Sequence, residues 1–321
     1  MMCVTAAAST MKQEIPWAPN PPPLKVTWHS RTSPFTNAQF KQRPRVSREE
    51  FDELLQTILF KFPNYAGSFS HKGLDVRLKL ASCLRFLAGG AALDCMDLHG
   101  QRKSTFYAHL QETLEVLKRT LKIKWIWNDE EKLRNLERRC SPGGATRNAL
   151  AGCIGYIDGI IIKTRKPQRV QAHDFYYCAR KNCWGLNAQA ICDSQLVFTY
   201  FNLGSGGATH DSTAFKCSML GEICHAGELP GDYFFIFDAA YGGGMNVMTP
   251  YSSSTARRNR SKDDFNYLHS SKRMAIERAF GVLVRRWGVL WRPLEGDITT
   301  NIKVVKACVL LHNFIMCRRA P

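Results

Sequence analysis

Apolar residues recur every three to four positions through the first part of the chain, then bunch into short unbroken runs in the second. The period changes from Ala151 on. Ser47 stands three residues before Glu50, as in a capping box, and Phe51, Leu54, Leu55, Ile58 and Leu59 follow at helical spacing. A second helix is predicted over 74–87 and stopped by Gly89-Gly90. A short one over 91–98 is closed by Gly100. A longer helix is capped by Ser104 and carries Phe106, Leu110, Leu114 and Leu117 on one stripe. A charged helix over 122–139 leads to Ser141-Pro142-Gly143-Gly144, a natural boundary.

Beyond the boundary, 153–164 reads as a strand buried on both faces, and 184–193 and 195–203 as a hairpin joined at Asp193-Ser194. Gly204-Ser205-Gly206-Gly207 breaks the chain, and a helix follows over 212–223. A strand over 233–238, a Gly/Ser-rich loop over 242–262 and helices over 264–290 and 302–316 complete the pattern. The expected architecture is an α/β domain over 146–321 preceded by a small all-α region over 46–145. Residues 1–45 are Pro-rich, show no sustained period, and read as a disordered tail ending in Lys41, Arg43, Arg45 and Arg48.

Composition narrows the function. Lys and Arg number 44 against 27 Asp and Glu in 321 residues, a net charge of +17 spread over both halves, which suits a polyanionic partner such as DNA. No apolar run reaches the roughly 18–20 residues of a membrane span, and residues 1–10 lack a secretory pattern, so an intracellular, membrane-free protein is expected. Twelve cysteines include no C-x-x-C pair. Cys217, Cys224 and His225 lack a fourth ligand, so neither zinc nor a disulfide framework is expected. No phosphate-binding loop with Gly-Lys-Ser/Thr is present, which argues against a nucleotide-triphosphate enzyme.

The order helix, short helix, Gly turn, longer helix is compatible with a helix-turn-helix and equally with a plain bundle. Gln101, Arg102, Lys103, Ser104 and Thr105 near the start of the last helix suit base or phosphate contact, with Arg102 and Lys103 the candidate DNA contacts.

Three carboxylates occupy apolar surroundings. Asp158 interrupts the run from Ile154 to Ile162, Asp238 ends Tyr233-Phe-Phe-Ile-Phe, and Glu277 sits on the edge of the stripe Ile276, Phe280, Leu283, Val284, Trp287. Gly281, one turn on, leaves room for close approach. Arg278, Arg285 and Arg286 lie away from the stripe, free for solvent or phosphate. Hard oxygen ligands from separate elements suit Mg²⁺ or Mn²⁺, and two such ions support phosphodiester hydrolysis. For His210-Asp211 two roles are open: an accessory ligand or proton shuttle, or a helix cap by Asp211, and the cap is favoured. Tyr241 and Trp184 read as packing residues, and His312 and Asn313 as satisfied polar groups inside the fold.

Six segments together resemble the PIF/Harbinger type of DDE transposases and the nucleases derived from them. They are Tyr156-Ile-Asp-Gly159, Asn187-Ala-Gln-Ala-Ile-Cys-Asp193, Gly204-Ser205 leading to His210-Asp211-Ser212, Phe237-Asp-Ala-Ala-Tyr241, Ile276-Glu-Arg-Ala-Phe-Gly-Val-Leu283 and Leu310-Leu-His-Asn-Phe314. The resemblance covers about residues 150–316. It implies an RNase H-like catalytic domain with Asp158, Asp238 and Glu277 as the triad and metal ligands, and an upstream helix-turn-helix-like region. It also implies a nuclear DNA endonuclease, with a separate DNA-binding partner protein or self-association as further expectations. The alternative is a domesticated or decayed copy that binds DNA or protein without cutting.

Overall fold

The computed structural model describes residue 28 and residues 35–66, 75–124, 126–141, 150–168, 170 and 172–318. Helices come first: α1 (Asn37–Gln42), α2 (Arg48–Lys61), α3 (Val76–Leu87), α4 (Ala92–His99), α5 (Lys103–Thr120) and α6 (Glu130–Cys140). The Ser47–Glu50 capping box opens α2, and the apolar stripes of α2 and α5 are buried as their spacing predicts, apart from half-buried Leu59. Gly100 closes α4 in the left-handed conformation, φ 60°.

Several expectations need correction. Residues 35–45 of the expected tail are structured: a Thr36–Gln39 capping box starts α1, whose buried Phe40 meets Phe51 edge-on, while Trp28 stacks on Phe51. These rings come from separate pieces of chain, so they leave no period in the sequence. Residues 1–27 and 29–34, Leu74 and the expected boundary at 142–144 lie outside the described residues. Ser104 does not cap α5, which begins at Lys103 after Arg102, a residue making no side-chain cap bond. The charged helix is shorter than 122–139, because Ile126 and Trp127 turn into the core and Asp129 caps α6 with its carboxylate.

The second part is a mixed sheet. β1 (Cys153–Lys163) lies between antiparallel β3 (Cys183–Cys192) and parallel β5 (Phe234–Ile236). β4 (Phe198–Gly206) pairs with β3, β2 (Tyr177–Cys178) pairs with the start of β3, and β6 (Val247–Met248) runs parallel to β5. The Gly204–Gly206 stretch continues β4 instead of breaking it. Two helices, α7 (Asp211–Lys216) and α8 (Met219–Ala226), replace the single one expected over 212–223. The loop over 242–262 contains β6 and α9 (Ser253–Ala256). The long helix α10 (Arg260–Arg286) ends at Trp287, before a 3₁₀ turn, and α11 (Ile298–Met316) closes the described chain.

Alternation along the strands sends two sets of side chains to opposite faces. Tyr156, Ala188, Ala190 and Cys192 pack with Phe280 and Leu283 of α10 and Val305 and Cys308 of α11. Ile157, Ile191 and Phe235 pack with Leu136 of α6, Phe215 of α7 and Leu220 of α8. Asn313 docks α11 on β4 by donating to the Phe198 carbonyl at 2.7 Å and accepting from its N–H at 2.9 Å. Buried His312 meets the Leu196 carbonyl at 2.8 Å, and burial pushes its pKa down to about 4. Asn313 is the satisfied polar group expected, whereas His312 is satisfied at Nε2 alone, its Nδ1 being buried without a hydrogen-bond partner.

The helical part is seated on the sheet part through α5 and α11, where Gln111 donates to Thr300 Oγ1 at 3.0 Å. Nearby, two backbones touch. Gly89, at φ 101°, lies so close to Gly288 that a Cβ on Gly89 would sit 3.1 Å from its Cα, and one on Gly288 would sit 2.7 Å from the Ala88 carbonyl oxygen.

Candidate active site

The register of β1 and β5 sets the site. Tyr156 pairs with Ile236 on these neighbouring parallel strands, so Asp158, within β1, and Asp238, past the end of β5, each stand two residues beyond that pair. Such strands are about 4.8 Å apart. The ends of strands in α/β sheets are where ligand sites form. β1 is not buried on both faces throughout: from Asp158 to Ile161 it is only partly covered, and this opens the site.

Asp158 accepts from the Gly159 N–H at 2.8 Å and from Arg273 Nη1 at 3.3 Å. Burial pushes its carboxyl pKa up. The Gly159 N–H and the Arg273 charge oppose that rise, while the charges of Asp211 and Asp238 add to it. Asp238 is exposed and accepts from the Ala239 N–H at 2.6 Å, capping a 3₁₀ turn. Glu277 is half exposed on α10, and its Oε1 lies 2.6 Å from Arg273 Nη2. One guanidinium therefore joins two members of the expected triad. Arg273 was missed in the sequence reading; its signal is the i, i+4 spacing to Glu277 on a helix facing the sheet.

Asp211 does not cap α7. His210 holds the cap position, exposed and without a side-chain cap bond, and Asp211 is the first helical residue. Its carboxylate accepts from Asn187 Nδ2 at 2.9 Å and Gln189 Nε2 at 3.1 Å, and pairs with Arg180 at 3.3 Å. Gln189 in turn accepts from the Tyr241 hydroxyl at 2.7 Å and donates to Asn187 at 2.8 Å. Tyr241 is thus a packing residue that also orients Gln189. Asn187 and Gln189 alternate with Ala188 and Ala190 in β3, a period-two polar pair on a buried strand that the sequence displayed and that was read only as part of a motif.

Gly159 makes room for this network. A Cβ there would lie 2.6 Å from Gln189 Nε2 and 2.8 Å from Asp211 Cγ, and would overlap Asp211 Oδ1. Both groups are held by hydrogen bonds and cannot swing aside. Gly159→Ala is expected to cost about 1–3 kcal/mol through overpacking. Gly281 is the opposite case. It adjoins open space with nothing near a built Cβ, so it provides no close approach. Gly281→Ala should be neutral or stabilise α10 by up to about 1 kcal/mol. Thermal melts of the two variants should move in opposite directions.

The remaining candidates are spread out. Arg102 and Lys103 are exposed at the start of α5, whereas Gln101 is buried and unavailable for base contact. Arg278 and Arg285 are exposed on α10. Arg286 is half buried, with Nη2 3.8 Å from Met316 Sδ of α11, and is not the free side chain expected. Cys217 is exposed and Cys224 is buried. Among the described residues, no three His, Cys, Asp or Glu side chains are already arranged as a metal cage. No helix among them is long and apolar enough to cross a membrane.

No curated protein and no solved structure matches the chain. Residues 157–313 match a family model described as DDE superfamily endonuclease, and the mixed central sheet flanked by helices is consistent with an RNase H-like domain of that kind. The matched segment holds Asp158, Asp238, Arg273 and Glu277, and over it the chain is similar to transposase-like nucleases of the DDE superfamily.

Proposed function

We propose that the protein is a metal-dependent DNA endonuclease of the PIF/Harbinger transposase type, acting in the nucleus. The observation that carries this reading is the placement of Asp158 in the middle of β1 and Asp238 just past the end of neighbouring β5, with Arg273 tying Asp158 to Glu277. The oxygen donors suit a hard divalent cation, and the guanidinium between two of them supports a need for positive charge there. Asp158, Asp238 and Glu277 would hold Mg²⁺ or Mn²⁺. A metal held there would supply an activated water and stabilisation of the leaving oxygen in phosphodiester hydrolysis.

The chain's own residues do the positioning. The Gly159 and Ala239 N–H groups orient Asp158 and Asp238. Exposed Arg278 and Arg285, on the helix that carries Glu277, suit phosphate contact. The left-handed turn at Gly100 and exposed Arg102 and Lys103 at the start of α5 support a helix-turn-helix reading of α4 and α5. No covalent enzyme intermediate is required.

The test is strand cleavage of a supercoiled plasmid with Mg²⁺ or Mn²⁺, which should give nicked and linear product that a chelator abolishes. DNA binding without any cleavage would instead support a binding module. Affinity should also depend steeply on salt. Six to ten phosphate contacts would lose roughly a thousandfold or more between 50 and 200 mM. Charge reversal at Arg102 and Lys103 should flatten that slope, and salt-insensitive binding would remove the electrostatic basis of the reading.

A further inference from the structure

Arg273 is only about a fifth exposed, and its fork points at two carboxylates from different elements: Nη1 to Asp158 of β1 at 3.3 Å and Nη2 to Glu277 of its own helix at 2.6 Å. The contact to Glu277 is not explained by helix stability. In isolated helices the favourable order places Glu N-terminal to its cation, and here Arg comes first. The contact to Asp158 spans 115 residues of chain and bridges helix and sheet. Asp158 also feels the charges of Asp211 and Asp238, and buried His269 on α10 feels those of Arg273 and Asp238. A planar fork fits two carboxylates in a way a point charge does not.

We propose that Arg273 is the site's resident cation: it holds Asp158 and Glu277 together in the metal-free protein and gives them up when a divalent cation binds. The inference rests on the metal-dependent reading above. A cation entering between Asp158 and Glu277 would meet Asp158 Oδ2 and Glu277 Oε1, which Arg273 holds, so the two compete for the same carboxylates. Metal affinity is then lowered by the cost of displacing the guanidinium, as for any site whose competent state must first be released. In return the carboxylates stay gathered without metal. Arg273 is in this sense a positioning residue, and its effect is readable apart from cleavage.

The experiment is calorimetric titration of Mn²⁺ into the full chain without DNA, with thermal melts of the metal-free and Mn²⁺-loaded protein. Arg273→Met keeps the apolar stem and removes the charge. Its metal-free form should melt lower than wild type, and it should bind Mn²⁺ several-fold more tightly. Arg273→Lys keeps one charge but cannot span both carboxylates, and should fall between the two. Unchanged or weaker Mn²⁺ binding by a folded Arg273→Met protein would overturn the proposal. Should that variant not fold, unchanged or weaker binding by Arg273→Lys would do the same. A wild-type protein that takes up no Mn²⁺ at all would remove the metal-dependent reading and this inference with it. Normal uptake by wild type with no change in the variants would defeat the inference alone.

Discussion

Asp158→Asn protein should fold, bind DNA and fail to cut it. The amide keeps the size of the side chain and an oxygen for the Gly159 N–H. It loses the negative charge that a hard cation requires. The fold should tolerate the change because the folded state disfavours the charged form. The pKa of Asp158 is raised, so the stability it contributes is greatest below its unfolded pKa and falls as pH rises through its folded pKa. At neutral pH its ionised form is therefore a net liability, which asparagine removes. Arg273 retains Glu277 as a partner. Cleavage should fall by about 10²–10³ or more, the scale for losing one group that stabilises charge in a transition state. Glu277→Gln should behave alike: the side chain is half exposed, so α10 packing survives while a metal ligand is weakened. Wild-type-like cutting by either folded variant, with contaminating nuclease excluded, would defeat the triad assignment even though the sheet remained as described.

The largest effect on stability should come from Asp193→Ala. Asp193 is fully buried between β3 and β4, and its Oδ1 accepts from the backbone N–H groups of Gln195 at 2.9 Å and Val197 at 3.0 Å. Its Oδ2 pairs with Arg139 at 3.0 Å and so holds the end of α6 to the hairpin. Alanine would strand two N–H groups and leave the guanidinium without its partner. Arg139 is about half exposed and can rehydrate, which limits that part of the loss. The expected cost is about 2–4 kcal/mol. For a protein of this size that is a fall in Tm of roughly 5–10 °C. A melt within a degree of wild type would show that water replaces the carboxylate and that the hairpin does not depend on it.

The helices of the first part were legible because their apolar positions repeat on one face: Phe51 to Ile58 and Phe106 to Leu117 are buried where spacing placed them. β1, β3, β4 and β5 were legible as apolar runs, within a few residues at each end, whereas the two-residue β2 and β6 were not. Asp158, Asp238 and Glu277 stood out because charge is costly in apolar surroundings. What stayed hidden depends on pairing between distant pieces. The packing of Trp28 and Phe40 on Phe51, the hold of Asn187 and Gln189 on Asp211, and the bridge of Arg273 to Asp158 each join residues that no local pattern relates. The expected cap at Asp211 failed for the same reason. Asp is common at helix starts, but here two buried amides claim the carboxylate first.

The contact of Gly89 with Gly288 has a consequence for how such a chain can change over time. A side chain on Gly89 would press on the Gly288 backbone at 3.1 Å from a left-handed φ that favours glycine, and one on Gly288 would meet the Ala88 carbonyl oxygen at 2.7 Å. The end of α3 and the turn after α10 can therefore be altered only together. Recombination that brought in a foreign helical region would have to supply a bare backbone at the position of Gly89. Without it, the new region could not seat beside the helix that carries Glu277. Substitution at this seam is for that reason expected to be tolerated less readily than substitution on the outer surfaces of the two parts.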